Sequence, residues 1–214
     1  MKPPSSPTEM ILLLTVLSLL PLLVVMGTSF LKLAVVFSLL RNALGIQQVP
    51  PNIALHGLAL VLTLYIMAPV GYQVRERLAA APDHGAHPLA RLEDPTLDPY
   101  RQFLRQHTAP PQTRFFRDSA RKNWPEPLRN RIDDNSLLIL MPAFAVSQLT
   151  EAFKIGLLLF LPFVAIDLVV SNILLAMGMM MVSPMTVSMP FKLLIFVLAG
   201  GWDKILNQLL LSYQ

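Results

Sequence analysis

Two kinds of side chain stand out in this sequence: thioethers crowded into one stretch, and charges set inside apolar runs. Six of the 11 methionines fall between residues 177 and 189, as Met177-Gly178-Met179-Met180-Met181, Met185 and Met189. Methionine is unbranched and polarizable, so several together form an apolar surface that reshapes around whatever presses on it, which suits a seal that must also open. The same residue type also fills irregular gaps in an apolar bundle, and thioethers select copper(I). The charges are Glu151, Lys154, Asp167, Lys192 and Asp203. An ionisable group in hydrocarbon costs on the order of 3 kcal/mol by insertion scales, so each needs a partner or water. Glu151 and Lys154 are three apart and can pair on a helix surface. Asp167 and Lys192 have no near neighbour in sequence to pair with, so they need tertiary or inter-subunit partners, or water.

Other chemistry is poorly served. The sequence has no His-Glu-x-x-His, Gly-x-Ser-Gly or Gly-x-Gly-Asp, and Gly27-Thr28-Ser29-Phe30 is only a fragment of the second. His56 lies in an apolar run, where a satisfied or interfacial histidine is the expectation, and His84, His87 and His107 fall in a polar segment. There is no Walker phosphate loop. With no cysteine, disulfides and thiolate metal sites are excluded. Neither a catalytic residue, a cofactor nor a resident metal is expected. The net charge of +4 is small for 214 residues and its basic residues are interspersed with acids, so no nucleic-acid stripe forms.

The elements that position these residues are apolar helices. The chain is 54% hydrophobic and 14% charged, with a mean hydropathy of +0.54, which puts it in or against a membrane. Met10 to Leu31 and Asn42 to Val74 are free of charge, and each can supply the roughly 20 residues that cross a bilayer core. The first apolar run continues to Leu40, too long for one perpendicular span, and Pro21 or Gly27-Thr28-Ser29 offers a bend or break. That run is expected to be retained rather than cleaved as a signal peptide.

Three zones follow: an N-terminal hydrophobic helical hairpin (1–74), a polar, partly helical insert (75–135), and a C-terminal hydrophobic hairpin (136–214). The insert carries 11 of the 17 basic residues, nine of the 13 acids and eight of the 19 prolines. Within it Asp98-Pro99 reads as an N-cap followed by a first-turn proline, with Tyr100, Phe103 and Leu104 on one face. Arg114 to Trp124 reads as a second amphipathic helix with Phe116, Ala120 and Trp124 aligned, and residues 82–97 read as loop. In the last zone Pro142, Pro162, Pro184 and Pro190 are expected to add breaks.

This zone contains Pro142-Ala143-Phe144-Ala145-Val146-Ser147-Gln148-Leu149, Ala152-Phe153-Lys154-Ile155-Gly156, Leu161-Pro162-Phe163, Ile166-Asp167-Leu168-Val169, Met177-Gly178-Met179-Met180-Met181, Ser183-Pro184 and Pro190-Phe191-Lys192-Leu193. In this order these motifs resemble the FliP/SctR family of export-apparatus proteins from bacterial flagellar and virulence type III secretion systems. Thr28-Ser29-Phe30, Leu39-Leu40-Arg41-Asn42-Ala43-Leu44-Gly45 and Gln47-Gln48-Val49-Pro50-Pro51-Asn52 are similar to the same family independently. The start near Met1, without the long leader of many flagellar members, leans toward the virulence type.

The resemblance implies a mostly α-helical subunit, with membrane-type hairpins and a periplasmic insert, that assembles into a pentameric helical ring. It also implies SctS-like, SctT-like and SctU-like partners, contact with needle or inner-rod proteins, and passage of secreted polypeptides. The setting it implies is the lipid of the bacterial inner membrane, with the assembled complex largely on the periplasmic side. By the same resemblance Met177, Met179, Met180 and Met181 form the pore gasket, and Asp167 is a buried charge. The alternative reading is a polytopic transporter of a small solute or of a soft metal ion such as copper(I).

Two departures from the family pattern stand in this sequence. The family usually has Glu in a Ser-Glu-Leu motif and Asp before Gly-Trp, where this chain has Ser147-Gln148-Leu149 and Gly200-Gly201-Trp202-Asp203. The resemblance expects the missing acid to pair with Lys192 between neighbouring subunits. Gln148 can hydrogen-bond an ammonium but cannot neutralise it. Glu151, about one helical turn away, is therefore the expected substitute partner of Lys192, or else the contact is weaker.

Overall fold

The apolar periodicity resolves into helix throughout the computed structural model, which describes residues 7–46, 50–80, 95–129, 133 and 135–214. The helices are α1 (Pro7–Gly27), α2 (Phe30–Ala43), α3 (Asn52–Ala80), α4 (Asp98–Gln106), α5 (Pro110–Asn123), α6 (Glu126–Arg129), α7 (Leu137–Ala176), α8 (Pro184–Leu198) and α9 (Gly201–Leu211), with a 3-10 turn at Pro95–Leu97. No strand occurs among the described residues. His84, His87, residues 82–94 of the expected loop and residues 47–49 of the first hairpin's connection lie outside them.

Helices α3 and α7 are each long and apolar enough to cross a membrane, and the broken pairs α1/α2 and α8/α9 pass the same test of length and composition when each is taken as one span. The chain is a membrane protein by this measure. The first break comes at Thr28-Ser29, while Pro21 stays inside α1. Pro184 opens α8 in its first turn, where the missing N–H costs nothing. The other expected breaks do not occur: α7 runs through Pro142 and Pro162, and α8 through Pro190. A proline removes one backbone bond, and a long apolar helix with neighbours can absorb that loss.

The chain folds as two compact units, each drawn from two stretches of sequence. The unit of residues 1–31 and 70–146 contains the insert helices α4, α5 and α6. Its Phe103 and Leu104 are buried, and the Phe103 ring lies 5.7 Å from that of Phe144 near the start of α7. Tyr100 donates its hydroxyl to the carbonyl of Gly27 at 2.8 Å, and burial pushes its phenol up to about 12, so it remains a donor at ordinary pH. Gly27 is required there, because a Cβ at that position would fall 2.2 Å from the Tyr100 oxygen. Asp98 is the first residue of α4 rather than its cap, which is Leu97. Its carboxylate is committed to Arg101 at 2.5 Å and Arg77 at 3.4 Å. The second amphipathic helix forms as α5, with Ala120 buried and Phe116 and Trp124 half-buried.

The unit of residues 32–69 and 147–214 packs α2 and the first part of α3 with α7, α8 and α9. Leu33, Val36, Phe37 and Leu40 of α2 are fully buried or nearly so. Gly156 of α7 allows α2 to come close, since a Cβ there would sit 2.2 Å from Leu39 Cδ1. The chain turns by 61° from α8 into α9 at Gly200, whose left-handed φ of 62° suits glycine.

Candidate functional site

The methionine run, Gln148, Glu151, Asp167 and Lys192 all lie in the second unit, on α7, α8 and the loop between them, while Lys154 and Asp203 stand exposed on α7 and α9. The methionine run ends α7 by a Schellman turn. Met179 N–H donates to Leu174 O at 2.9 Å and Gly178 N–H to Leu175 O at 3.0 Å, with Gly178 at φ 74° as the left-handed residue this motif requires. A further backbone bond links Val182 N–H to Met179 O at 3.4 Å. Ser183 then precedes Pro184 and α8 begins. Glycine and proline therefore shape the loop, leaving the methionine side chains free of structural duty. They are exposed: Met177 by 60%, Met179 by 47%, Met180 by 81% and Met181 completely. A soluble monomer seldom displays such a cluster, and an apolar patch of this kind marks a surface for another protein or for lipid.

The hairpin is fixed lower down by charge. Ser188, Lys192 and Phe196 recur every four residues along α8 and form its buried stripe. The Lys192 ammonium, 2% exposed, lies 2.6 Å from Asp167 Oδ2 on α7. It also donates to the Ala43 carbonyl at 3.4 Å, at the C-terminal end of α2 where the helix dipole favours a cation. Ser188 donates its hydroxyl to the other Asp167 oxygen at 2.5 Å. Asp167, expected as the buried charge, is instead the half-exposed member of the pair, with 37% of its side chain accessible. The lysine is the buried one.

A second lysine is buried as deeply. Lys32 of α2 donates to Glu151 Oε2 at 2.7 Å and sits 4.7 Å from the centroid of the Tyr213 ring, within cation–π range. Tyr213 in turn donates its hydroxyl to Oε1 of the fully buried Gln148. Burial, reinforced by the Glu151 carboxylate, holds the Tyr213 phenol well above its usual range, which keeps it a donor.

These contacts set the pairing within one chain. There Glu151 turns to Lys32 and not to the exposed Lys154, whereas its expected contact with Lys192 runs between neighbouring subunits. Lys192 has its own counter-charge in Asp167. Gln148 accepts a hydrogen bond from the Tyr213 phenol. Lys32, Ser188 and Tyr213 were not singled out by sequence reasoning. For Lys32 the signal was available, since it is a lone cation between Leu31 and Leu33 in an apolar helix and such a residue needs a counter-charge. For Tyr213 there was none.

Of the histidines, His56 is exposed on α3, and His107 places Nδ1 2.8 Å from Phe103 O. Among the described residues no three His, Cys, Asp or Glu side chains come together in a way that could hold a metal ion. Beside the methionine loop an apolar groove of about 550 Å³ runs between α7 and α8, lined by Ile166, Val170, Ile173, Met177, Phe191 and Ile195 among others.

Comparison with known proteins adds the last findings. The family model described as the FliP family matches residues 13–209. The virulence protein YscR of Salmonella typhimurium is 61% identical over 213 residues, 99% of each chain. The Yop proteins translocation protein R of Yersinia pestis is 55% identical over 207 residues, 96% of this chain and 95% of the relative. The hypersensitivity response secretion protein HrcR of Ralstonia nicotianae is 41% identical over 210 residues, 96% and 97% of the two chains.

Proposed function

The chain belongs to the FliP family, and from that premise we propose that it is a non-enzymatic core subunit of a type III secretion export gate. Five copies assemble as a ring with SctS-like and SctT-like subunits around a pore for unfolded polypeptides, beside an SctU-like subunit and the needle or inner-rod proteins. The complex belongs to the bacterial inner membrane and stands largely on its periplasmic side. Relatives named for translocation of Yop proteins and for hypersensitivity response secretion support a role in protein export.

The observation that carries the gate reading is the methionine loop. Its backbone is set by Gly178 and Pro184, while four thioether side chains project from it exposed. Repeated around a ring, they form a deformable gasket of Met177, Met179, Met180 and Met181 that holds back small ions and yields to a polypeptide. The apolar groove between α7 and α8 reaches Met177 and supplies a surface for a neighbouring copy to cover beside the gate.

Assembly is tested by extracting the protein in mild detergent with its SctS-like and SctT-like partners and imaging the particles. A closed ring containing all three is expected. Monomers that bind neither partner, and that instead take up copper(I), would point to a soft-metal transporter.

A further inference from the structure

The insert helix α4 touches the ends of three apolar helices at once. Tyr100 bonds to the last residue of α1 at 2.8 Å. Arg77, in the last turn of α3, donates to Pro95 O at 3.1 Å and meets Asp98 at 3.4 Å. Phe103 packs on Phe144 of α7. Among the described residues α3 and α7 can each cross a bilayer alone, so α4 is held where such helices emerge from lipid. Helix α5 begins four residues after α4 ends, a reach of at most about 14 Å, which keeps it at the same level.

The outward side of α5 has a composition suited to that level. Arg114, Phe115, Asp118, Arg121 and Lys122 are exposed and fall within one arc of the helix, whereas Phe116 and Ala120 turn inward. Three of the five are cations, and the one acid, Asp118, is already met by Arg117 at 3.3 Å. Phe115 is 66% exposed at the edge of the arc, its ring edge-on to Phe116. Cations flanking an exposed aromatic ring fit a surface that is anionic outside and apolar just beneath, which describes phospholipid headgroups.

We propose that the face of α5 carrying Arg114, Phe115, Arg121 and Lys122 rests on the anionic headgroups of the bilayer in the membrane-inserted subunit. An acidic polypeptide would match the cations but not the ring. The proposal concerns the subunit before it joins the ring, rests on α3 and α7 being spans at that stage, and is independent of the methionine gate.

The natural absence of cysteine makes the test direct. Phe115→Cys, labelled with an environment-sensitive fluorophore, is reconstituted into vesicles of phosphatidylcholine alone or with phosphatidylglycerol. A control label is carried by Leu64→Cys, at an exposed apolar position of α3. The label at 115 should shift to the blue and be quenched by lipid-borne quenchers only in the anionic vesicles. Each cation near such a surface is worth about a fivefold factor, so Arg114, Arg121 and Lys122 all changed to Gln should lower the bound-to-free ratio roughly a hundredfold. A label at 115 that stays in water while the one at 64 is in lipid overturns this proposal alone. A label at 64 outside lipid overturns the spanning reading with it. Protection at 115 by polyglutamate but not by lipid overturns it in favour of a protein partner.

Discussion

The two ends of the α7–α8 hairpin are built on opposite principles. Its base is held by side chains: Lys192 on Asp167, Ser188 on the same carboxylate, and Ala43 O completing the ammonium's surroundings. Its tip is held by backbone alone, through a Schellman turn at Gly178 and the start of α8 at Pro184, with the methionines exposed. Substitution at the base should therefore unsettle the fold, and substitution at the tip should leave it standing. A gate needs that division, since the part that moves must not carry the stability of the part that holds.

The sharpest break of the comparison is Lys192→Glu. It sets two carboxylates together where an ammonium was 2% exposed, and loss of a buried partner typically costs about 3–5 kcal/mol. Thermal unfolding in detergent should show a large loss of stability and no ring. Lys192→Met should be milder, because Asp167 is partly exposed and can be hydrated. Equal stability of both variants to the parent would remove the ion pair from the account.

Two glycines separate packing from conformation. Gly156→Ala drives a Cβ to 2.2 Å from Leu39 Cδ1 and 3.1 Å from its Cβ, so an overpacking cost of about 1–3 kcal/mol is expected. Gly178→Ala meets open space but is forced to φ 74°, costing about 1 kcal/mol through the backbone alone. Chemical denaturation should rank them in that order. The reverse order would mean that the loop's backbone carries more of the fold than the helix contact does.

Gln148→Glu is the most discriminating of the changes. With Lys192 neutralised by Asp167 and Lys32 by Glu151, a further carboxylate three residues from Glu151 has no vacant cation among these pairs. It should lower the heat resistance of the purified subunit by about 3 kcal/mol or more, since position 148 is fully buried and like charges at this spacing repel. A more resistant subunit would mean that one of the two lysines draws on a second acid.

The sequence made some of this plain and hid the rest, for physical reasons. The break at Thr28-Ser29, the helix beginning at Asp98-Pro99 and the amphipathic α5 follow from local chemistry, and each appears in the structure with small shifts. Proline positions misled at 142, 162 and 190, because a lost backbone bond ends a helix only when nothing else holds it. The ion pairs were not legible in their partners. Lys32 and Glu151 are 119 residues apart, Lys192 and Asp167 are 25 apart, and Tyr213 and Gln148 are 65 apart, beyond any rule based on helical spacing. The need for partners was visible; their identity required the fold.

The central claim is that the methionine tip seals a pore while the base maintains the structure. It is tested most directly by replacing Met179, Met180 and Met181 together with alanine and measuring leakage of small ions or dyes from bacteria in which assembly is verified in parallel. A leaking membrane around an intact ring of unchanged heat resistance is the predicted result. An intact ring with parental permeability would contradict the account.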